Sequence, residues 1–223
     1  MKNSKAFPYL EACTLLEGSD EAGRRAFLDE CDLRHFGDRS PVLTQGEPTD
    51  TLYLIVKGRI EVTYLDSEGN QSILHFAGSG EVVGEVEALS KLPCAASCWA
   101  LPGTTVLAGS GELLVRHLLA PPLLASLAAI LHDRLERGNR LKAADQFYSV
   151  DQRICIYLSH FLAVDTGEIG ISQAYLAGAV GCARQTVNRK LGELREAGIL
   201  DVNRGRIRLL DRGALERCCG LEA

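Results

Sequence analysis

The sequence predicts an α+β fold in which short antiparallel strands come first, a long helix follows, and helices with a hairpin come last. Three observations support this order. Residues 42–115 alternate short apolar runs with Gly and Pro turns, residues 121–149 carry leucines at helical spacing, and residues 172–210 contain two helical segments and a hairpin pattern. We therefore expect three parts, at 1–120, 121–149 and 150–223.

The first part has the pattern of an antiparallel barrel or roll. Apolar runs at 52–56 and 60–65 flank the tight turn Lys57-Gly58-Arg59, and a polar turn at 67–70 separates the second run from a third at 73–76. Glycine-rich or Pro-Gly turns follow at 78–80 and 102–103. Short strands at such regular spacing are typical of closed or rolled antiparallel sheets.

The second part is predicted to be one helix that begins near Pro121-Pro122. Leucines recur along it at spacings typical of a helical stripe, at Leu124, Leu127, Leu131, Leu135 and Leu141. Such a stripe is buried either against its own domain or, as we favour, in the seam of a dimer. Gly138 and Asn139 are poor helix formers within it, and they are one candidate pivot between the first and third parts.

Composition excludes several classes of protein. No apolar run approaches the roughly 20 residues that span a bilayer, and the first ten residues lack the apolar stretch of a secretion signal. We therefore expect a cytoplasmic protein whose eight cysteines are reduced thiols. No nucleophile–base pair, metal-ligand spacing or phosphate-cradling glycine loop with lysine stands out, so we do not expect an enzyme.

The third part contains the pattern of a helix-turn-helix. Ser172 is a suitable N-cap for a helix over 173–180, and Gly181 permits the left-handed backbone of a sharp turn. A second helix is expected from Arg184 to about Ala197, closed by Gly198. Two helices joined by a short glycine-containing turn are typical of DNA-binding proteins.

The second helix divides into a core face and a polar face when it is drawn as a wheel at about 100° per residue. Val187, Leu191 and Leu194 form one narrow apolar stripe. A separate arc holds the side chains that we expect to read bases: Arg184, Gln185, Asn188 and Arg189. Arginine suits guanine, and asparagine or glutamine suits adenine, in the major groove.

Strand patterns at 199–202 and 207–210 flank a polar turn and predict a hairpin wing. Cationic and polar groups around it and at the helix-turn-helix are expected to contact phosphates. These candidates are Ser172, Gln173, Thr186, Arg204, Arg206 and Arg208. The net charge of −5 means that DNA binding depends on local clusters of cations rather than on overall charge.

Two segments carry a family resemblance. Val42-Leu-Thr-Gln-Gly-Glu-Pro-Thr-Asp-Thr-Leu-Tyr-Leu-Ile-Val-Lys-Gly-Arg-Ile-Glu-Val62 resembles the opening of a cyclic-nucleotide-binding β-roll. Gly181-Cys-Ala-Arg-Gln-Thr-Val-Asn-Arg-Lys190 resembles the recognition segment of the Crp/Fnr transcription regulators. The similarity extends from about residue 15 to 215. It implies an effector-sensing β-roll, a dimerisation helix and a winged helix-turn-helix.

The resemblance implies a homodimer on double-stranded DNA with two-fold related half-sites, and RNA polymerase as a partner. The lack of a long apolar run predicts that no membrane is involved. Arg184 and Arg189 match the base-contacting arginines of the family. Gln185 stands where glutamate is common, so we expect a different base opposite it, because glutamine both donates and accepts. Ala183 stands where serine or threonine is usual, which predicts a weaker N-cap.

The effector site departs from the family pattern. Gly84-Glu85-Val86 matches the start of the phosphate-binding cassette, but the arginine and the following serine or threonine of that cassette fall on Ala95 and Ala96. No Arg or Lys lies between Leu92 and Gly111. A buried phosphate without a cation is costly, so we expect an unidentified small effector other than cyclic AMP.

Three effector classes stay open: a small apolar or aromatic metabolite, haem, and an iron–sulfur cluster or redox-active thiol. The pocket candidates are Val83, Gly84, Glu85, Val86, Ala95, Ala96, Trp99, Gly138 and Asn139. Candidate haem ligands are His75, His117, Cys94 and Cys98. A rival function of another class is a nucleotide-binding module that acts on a protein partner.

Overall fold

The computed structural model describes residues 1–162, 167–203 and 205–220. It consists of two compact units, Met1–Leu135 and Glu136–Ala223. Among the described residues, no helix combines the length and apolar character needed to cross a membrane. The mixed α+β class is confirmed, since both units combine helices with antiparallel sheet.

The first unit begins with short helices and continues as a run of strands. Its N-terminal helices are α1 (Asn3–Ala6), two 3-10 turns (Pro8–Ala12 and Thr14–Leu16) and α2 (Glu21–Glu30). The strands are β1 (Asp32–Phe36), β2 (Ser40–Leu43), β3 (Thr51–Lys57), β4 (Ile60–Leu65), β5 (Gln71–Ala77), β6 (Val82–Val83), β7 (Ser97–Ala100) and β8 (Thr104–Ser110). The helices that accompany them are α3 (Glu85–Ser90), α4 (Gly111–His117) and the start of α5 (Ala120–Phe147).

The strands form two four-stranded antiparallel sheets, in the orders β1-β8-β3-β6 and β2-β7-β4-β5. β3 and β4 are consecutive but belong to different sheets, so the predicted tight turn carries the chain from one sheet to the other. Gly58 in this turn has φ +83°, and a Cβ there would lie 2.7 Å from the Cα of Thr104. Only glycine fits both the backbone angle and the space. The predicted roll is confirmed.

Two cores stabilise the first unit. One lies between the sheets and contains Tyr53, Ile55, Ile60, Cys98 and Val106 among its buried members. The other packs the helices onto the roll. Its members include Phe27, Leu28, Leu54, Leu114 and Leu123, with Leu127 and Ile130 packed against it.

The leucine stripe of α5 was predicted as one face, and that prediction is wrong. Leu127 packs against the core of its own unit, next to buried Leu123. Leu124, Leu131 and Leu135 are instead 70%, 46% and 63% exposed. These three fall within about 40° on a helical wheel, whereas Leu127 lies about 60° from Leu124. The spacing is helical throughout, but the stripe is wide enough to include parts of two faces.

The second unit contains the end of α5 and a helical domain with a small sheet. Its elements are α6 (Val150–Phe161), β9 (Glu168–Gly170), α7 (Gln173–Val180), α8 (Arg184–Glu196), β10 (Leu200–Asn203), β11 (Arg206–Leu209) and α9 (Arg212–Cys218). The sheet order is β10-β11-β9. The hairpin was predicted within one residue at each strand boundary, whereas β9 was not predicted. The three residues Glu168-Ile169-Gly170 are too few for their alternating polarity to predict a strand. The segment is a strand because it pairs with β11.

Candidate DNA-reading surface and effector site

The helix-turn-helix is built as the sequence predicts. Ser172 caps α7, since its Oγ accepts a hydrogen bond from the backbone N–H of Tyr175 at 3.1 Å. Gly181 ends α7 in the left-handed conformation, with φ 68° and ψ 46°. Arg153 of α6 donates a hydrogen bond to the carbonyl of Val180 and so fixes the end of α7. These contacts hold the turn that sets α8 against α7.

The two faces of α8 separate as the wheel predicts. Val187, Leu191 and Leu194 are at most 2% exposed. The opposite arc is exposed and contains Arg184, Gln185, Asn188 and Arg189, while Thr186 is half-buried beside it. Ala183 is the N-cap residue of α8 and provides no side-chain hydrogen bond to the helix. The structure thus presents a row of hydrogen-bonding side chains on a helix that its apolar face fixes in place.

Two residues on this arc have partners within the protein itself. Gln173 Nε2 of α7 donates a hydrogen bond to Asn188 Oδ1 at 3.0 Å. Arg189 Nη2 lies 2.6 Å from Asp151 Oδ1, and its Nη1 pairs with Glu193 Oε1. The hydrogen bond to Asp151 is the largest cause that raises the pKa of Arg189, followed by that to Glu193. Arg184 makes no ion pair with any residue that the structure describes.

The wing arginines are exposed and paired with acids of the same small sheet. Arg206 Nη1 lies 3.3 Å from Glu168 Oε1, and Arg208 Nη2 lies 3.7 Å from Asp201 Oδ2. Arg204, the third candidate for a phosphate contact, lies outside the described residues. Exposed pairs of this kind are weak, so both described side chains are able to exchange an acid for a phosphate.

In the first unit, Glu85 is the most distinctive candidate effector residue. It is fully buried at the start of α3. Arg134 Nη1 of α5 lies 2.9 Å from Glu85 Oε1, and Arg134 Nη2 donates a hydrogen bond to the carbonyl of Val82 at 2.9 Å. Glu85 Oε2 has no hydrogen-bond partner among the described residues. Burial raises the pKa of Glu85, and the charge of Arg134 lowers it in part.

Gly84 determines the backbone position of Glu85. It has φ +82°, and a Cβ there would lie 2.8 Å from the carbonyl oxygen of Thr51. A side chain at this position would therefore be strained both in its backbone angle and in its contact with β3. The glycine allows α3 to begin directly beside the sheet.

The other predicted pocket residues are placed in different environments. Val83 is buried in the roll core, Val86 and Ala96 are half-buried, and Ala95 is exposed. Gly138 and Asn139 are exposed on the part of α5 that belongs to the second unit.

Trp99 does not line the interior of the roll. Its neighbour Cys98 belongs to the core between the sheets, and successive side chains of a strand point to opposite faces. The indole instead lies under the guanidinium of Arg39, at 4.0 Å from the ring centroid. Arg39 in turn pairs with buried Glu61 at 3.2 Å.

The candidate haem ligands are two histidines that pair with acids and two buried cysteines. His75 Nε2 lies 2.9 Å from Glu81 Oε1, and His117 Nε2 lies 2.7 Å from Glu30 Oε1. Cys94 and Cys98 are buried. Within the described ranges, no three His, Cys, Asp or Glu residues are arranged to hold a metal ion.

Burial also controls the chemistry of the thiols. It raises the pKa of Cys31 and Cys98 to about 12, and that of Cys13 to about 11. A thiol with such a pKa is protonated at neutral pH and is a poor nucleophile. These three cysteines therefore pack as small apolar side chains.

Two known families match the chain in the order that the fold predicts. The cyclic nucleotide-binding domain matches residues 33–116, and the Crp-like helix-turn-helix domain matches residues 152–218. The chain belongs to the Crp/Fnr superfamily of transcription regulators. As a member of this superfamily, it is a DNA-binding transcription regulator.

Individual Crp relatives cover most of the chain. The cAMP-activated global transcriptional regulator CRP of Escherichia coli O6:H1 is 28% identical over 187 residues, which is 79% of this chain and 89% of that protein. The corresponding protein of Haemophilus influenzae is 29% identical over 184 residues, which is 78% of this chain and 82% of that protein.

Solved structures of Crp/Fnr regulators share the fold. A CRP-family transcriptional regulator of Thermus thermophilus has a TM-score of 0.64 and 26% identity, covering 84% of this chain and 96% of that one. FixK2 of Bradyrhizobium japonicum has a TM-score of 0.71 and 20% identity, covering 86% of this chain and 99% of that one.

Sequence reasoning missed two residues of this Crp/Fnr regulator, Arg134 and Asp151. A weak signal existed for Arg134, because it is one turn after Ile130 on the inward face of α5, where an arginine requires an acidic partner. No local signal marks Asp151, since its contact with Arg189 depends on how α6 and α8 pack.

Proposed function

We propose that this regulator binds a two-fold related DNA site as a homodimer, reads bases with α8, and responds to an effector other than cyclic AMP. The observation that carries the proposal is the exposed polar arc of α8, held on a buried apolar face within a complete helix-turn-helix. As a regulator of transcription, it is expected to act together with RNA polymerase.

Base reading is assigned to Arg184, Gln185, Asn188 and Arg189, because their side chains are exposed on one arc. An arginine that donates two hydrogen bonds to guanine contributes about 1–3 kcal/mol of discrimination. The wing arginines and the polar groups at the start of α7 are assigned to phosphates, which fix the position of the protein without reading the sequence.

The double variant Arg184→Ala with Arg189→Ala tests this assignment. Loss of two such contacts should weaken binding to a selected site by about 30-fold or more. The control is Arg34→Ala with Arg116→Ala, which removes the same charge from exposed positions of the first unit. Equal affinity of the test variant and the wild type, measured by fluorescence anisotropy, would contradict the proposal. That result would favour a module that acts on a protein partner.

Dimerisation is assigned to the exposed leucines of α5. Leu124, Leu131 and Leu135 are separated by seven and four residues, the spacing of a coiled-coil seam, and Ala128 lies between them. A row of leucines this exposed is stabilised when a second copy of the same helix covers it.

The effector is assigned to the site around Glu85, on chemical grounds. Cyclic AMP carries an anionic phosphate, but Ala95 and Ala96 provide neither a cation nor a hydroxyl, and Arg134 is already paired with Glu85. Glu85 Oε2 is free to accept a hydrogen bond. An effector that donates a hydrogen bond and is otherwise uncharged fits these groups best.

Titration calorimetry with cyclic AMP tests this assignment. The wild-type protein should give no saturable heat at millimolar cyclic AMP, whereas Ala95→Arg with Ala96→Ser should acquire binding because the arginine neutralises the phosphate. The matched control is Ala95→Gln with Ala96→Ser, which adds length without charge. Saturable binding by the wild type would contradict the assignment.

Sensing through haem, an iron–sulfur cluster or a redox-active thiol remains an alternative hypothesis for a regulator with this fold. An absorption spectrum of protein purified without oxygen separates them from the proposal. A Soret band would indicate haem, a broad visible shoulder would indicate an iron–sulfur cluster, and a spectrum without visible bands is the result expected here.

A further inference from the structure

Among the residues that the structure describes, Arg189 is the one candidate base-reading arginine that is held by two carboxylates. Its Nη2 lies 2.6 Å from Asp151 Oδ1, and its Nη1 pairs with Glu193 Oε1. A bidentate contact with guanine requires two N–H groups of the same guanidinium. Both terminal nitrogens of Arg189 already donate to an acid, so a base edge would compete with these carboxylates for the same guanidinium.

The two carboxylates differ in what they lose when Arg189 leaves. Glu193 Oε2 also lies 3.3 Å from Lys190 Nζ, so this acid keeps a cation. Asp151 has no second ion pair among the described residues. Lys190 also feels the charge of Asp151, but the nearest ion pair of Lys190 is with Glu193. Without Arg189, the charge of Asp151 would face a polyanion with no ion pair of its own, and like charges at short distance repel.

Asp151 is not needed to start the helix that carries it. Ser149 caps α6, since its Oγ accepts a hydrogen bond from the backbone N–H of Gln152, and Gln152 Oε1 accepts one from the backbone N–H of Ser149. Asp151 contributes only a favourable charge near the helix N-terminus, a modest effect at an exposed site. The contact of Asp151 with Arg189 is therefore separate from the capping of α6.

We propose that Asp151 is an intramolecular competitor of DNA that holds Arg189 on α6 and thereby lowers the affinity of the reading helix for its site. This inference rests on the proposed function, because it requires that Arg189 contacts DNA. Asp151 acts as a positioning residue, since it changes DNA binding through Arg189. The competition ends when Arg189 contacts a base.

The test measures DNA binding of the full-length protein to an operator selected by the wild type. Asp151→Asn should bind about 2- to 10-fold more tightly at 0.1 M salt, a range set by the modest energies of exposed ion pairs and by removal of a charge near phosphates. Glu193→Gln should gain less, because Glu193 is also paired with Lys190. Glu196→Gln, an exposed acid at the end of α8, is the control for net charge and should bind like the wild type.

Two further measurements separate competition from general repulsion. In an Arg189→Ala background, Asp151→Asn should give no gain, because the residue that it holds is absent. The gain should also shrink on an operator in which the base pair opposite Arg189 is replaced. An equal gain with and without Arg189 would overturn the proposal in favour of simple charge repulsion.

Asp151→Ser is the second variant, since it keeps a small polar side chain in the first turn of α6. Thermal unfolding of each variant shows whether α6 is intact. The proposal requires tighter binding from both substitutions and is overturned if either variant folds like the wild type but does not bind more tightly. A wild-type protein that selects no DNA site would instead contradict the proposed function itself.

Discussion

In the first unit, Arg134 pairs with a glutamate that is fully buried, whereas in the second unit Arg189 pairs with acids at the surface. The buried pair is costly to break because a lone carboxylate would stay in the protein interior. The surface pairs are weak, because water screens the charges of both partners. The first arrangement fixes α5 beside α3, and the second leaves Arg189, a candidate for base reading, able to exchange its partners.

The functional surface of the second unit is easier to predict from sequence than that of the first unit. The DNA surface is formed by neighbours in the sequence, since all four reading candidates lie on α8. The candidate effector site joins α3 to α5, and its central contact is the pair of Glu85 with Arg134, which no local sequence pattern predicts. The same difference predicts which substitutions change binding and which change stability.

The largest effect is expected at the exposed leucines of α5. Leu131→Glu should convert a dimer to a monomer and abolish tight binding to a two-fold site, because a charge cannot be buried in an apolar seam. Analytical ultracentrifugation measures the oligomeric state. Leu92→Glu is the control, since Leu92 is 63% exposed but lies outside α5. A dimer that survives Leu131→Glu would show that this row of leucines is not the seam.

Removal of Arg134 is expected to destabilise the first unit. Arg134→Ala leaves Glu85 buried without a cation, and breaking such a pair costs about 3 kcal/mol of the free energy of unfolding. The protein has a single tryptophan, and Trp99 lies in the first unit, so its fluorescence in urea follows this unit. The control Arg140→Ala removes an exposed arginine of the same helix that pairs with Glu136.

The loss of unfolding free energy in Arg134→Ala should depend on pH. Burial raises the pKa of Glu85, and loss of the cation raises it further. A group whose folded-state pKa is raised contributes stability below its unfolded pKa and loses it as the pH rises through the folded value. The variant should therefore be closer to the wild type at pH 4.5 than at pH 7.5. A difference that is equal at both pH values would mean that Glu85 is not the source of the loss.

The parts that the sequence predicts well are those that depend on neighbours in the chain. The cap at Ser172, the left-handed Gly181 and the two faces of α8 follow from residue types a few positions apart. The polar turn between β4 and β5 follows in the same way, from Asp66, which accepts hydrogen bonds from the backbone of Glu68 and Asn70.

The features of the structure that the sequence does not predict depend on packing between elements that are distant in the chain. The periodicity of α5 cannot show that Leu127 is covered by its own unit while Leu124 is left exposed. Trp99 looks like a pocket residue in the sequence, but the pleat of β7 turns it toward Arg39. Arg134 and Asp151 gain their roles only from the acid or arginine that another helix brings beside them.

Selection of bound DNA from a random pool tests the central claim most directly, because it shows whether α8 reads sequence and in what symmetry. The wild type should enrich a two-fold related site with half-site centres about 34–36 Å apart. Gln185→Glu should change the preferred base at one position of each half-site, since glutamate only accepts hydrogen bonds. A pool without enrichment, or identical sites for both proteins, would contradict the account.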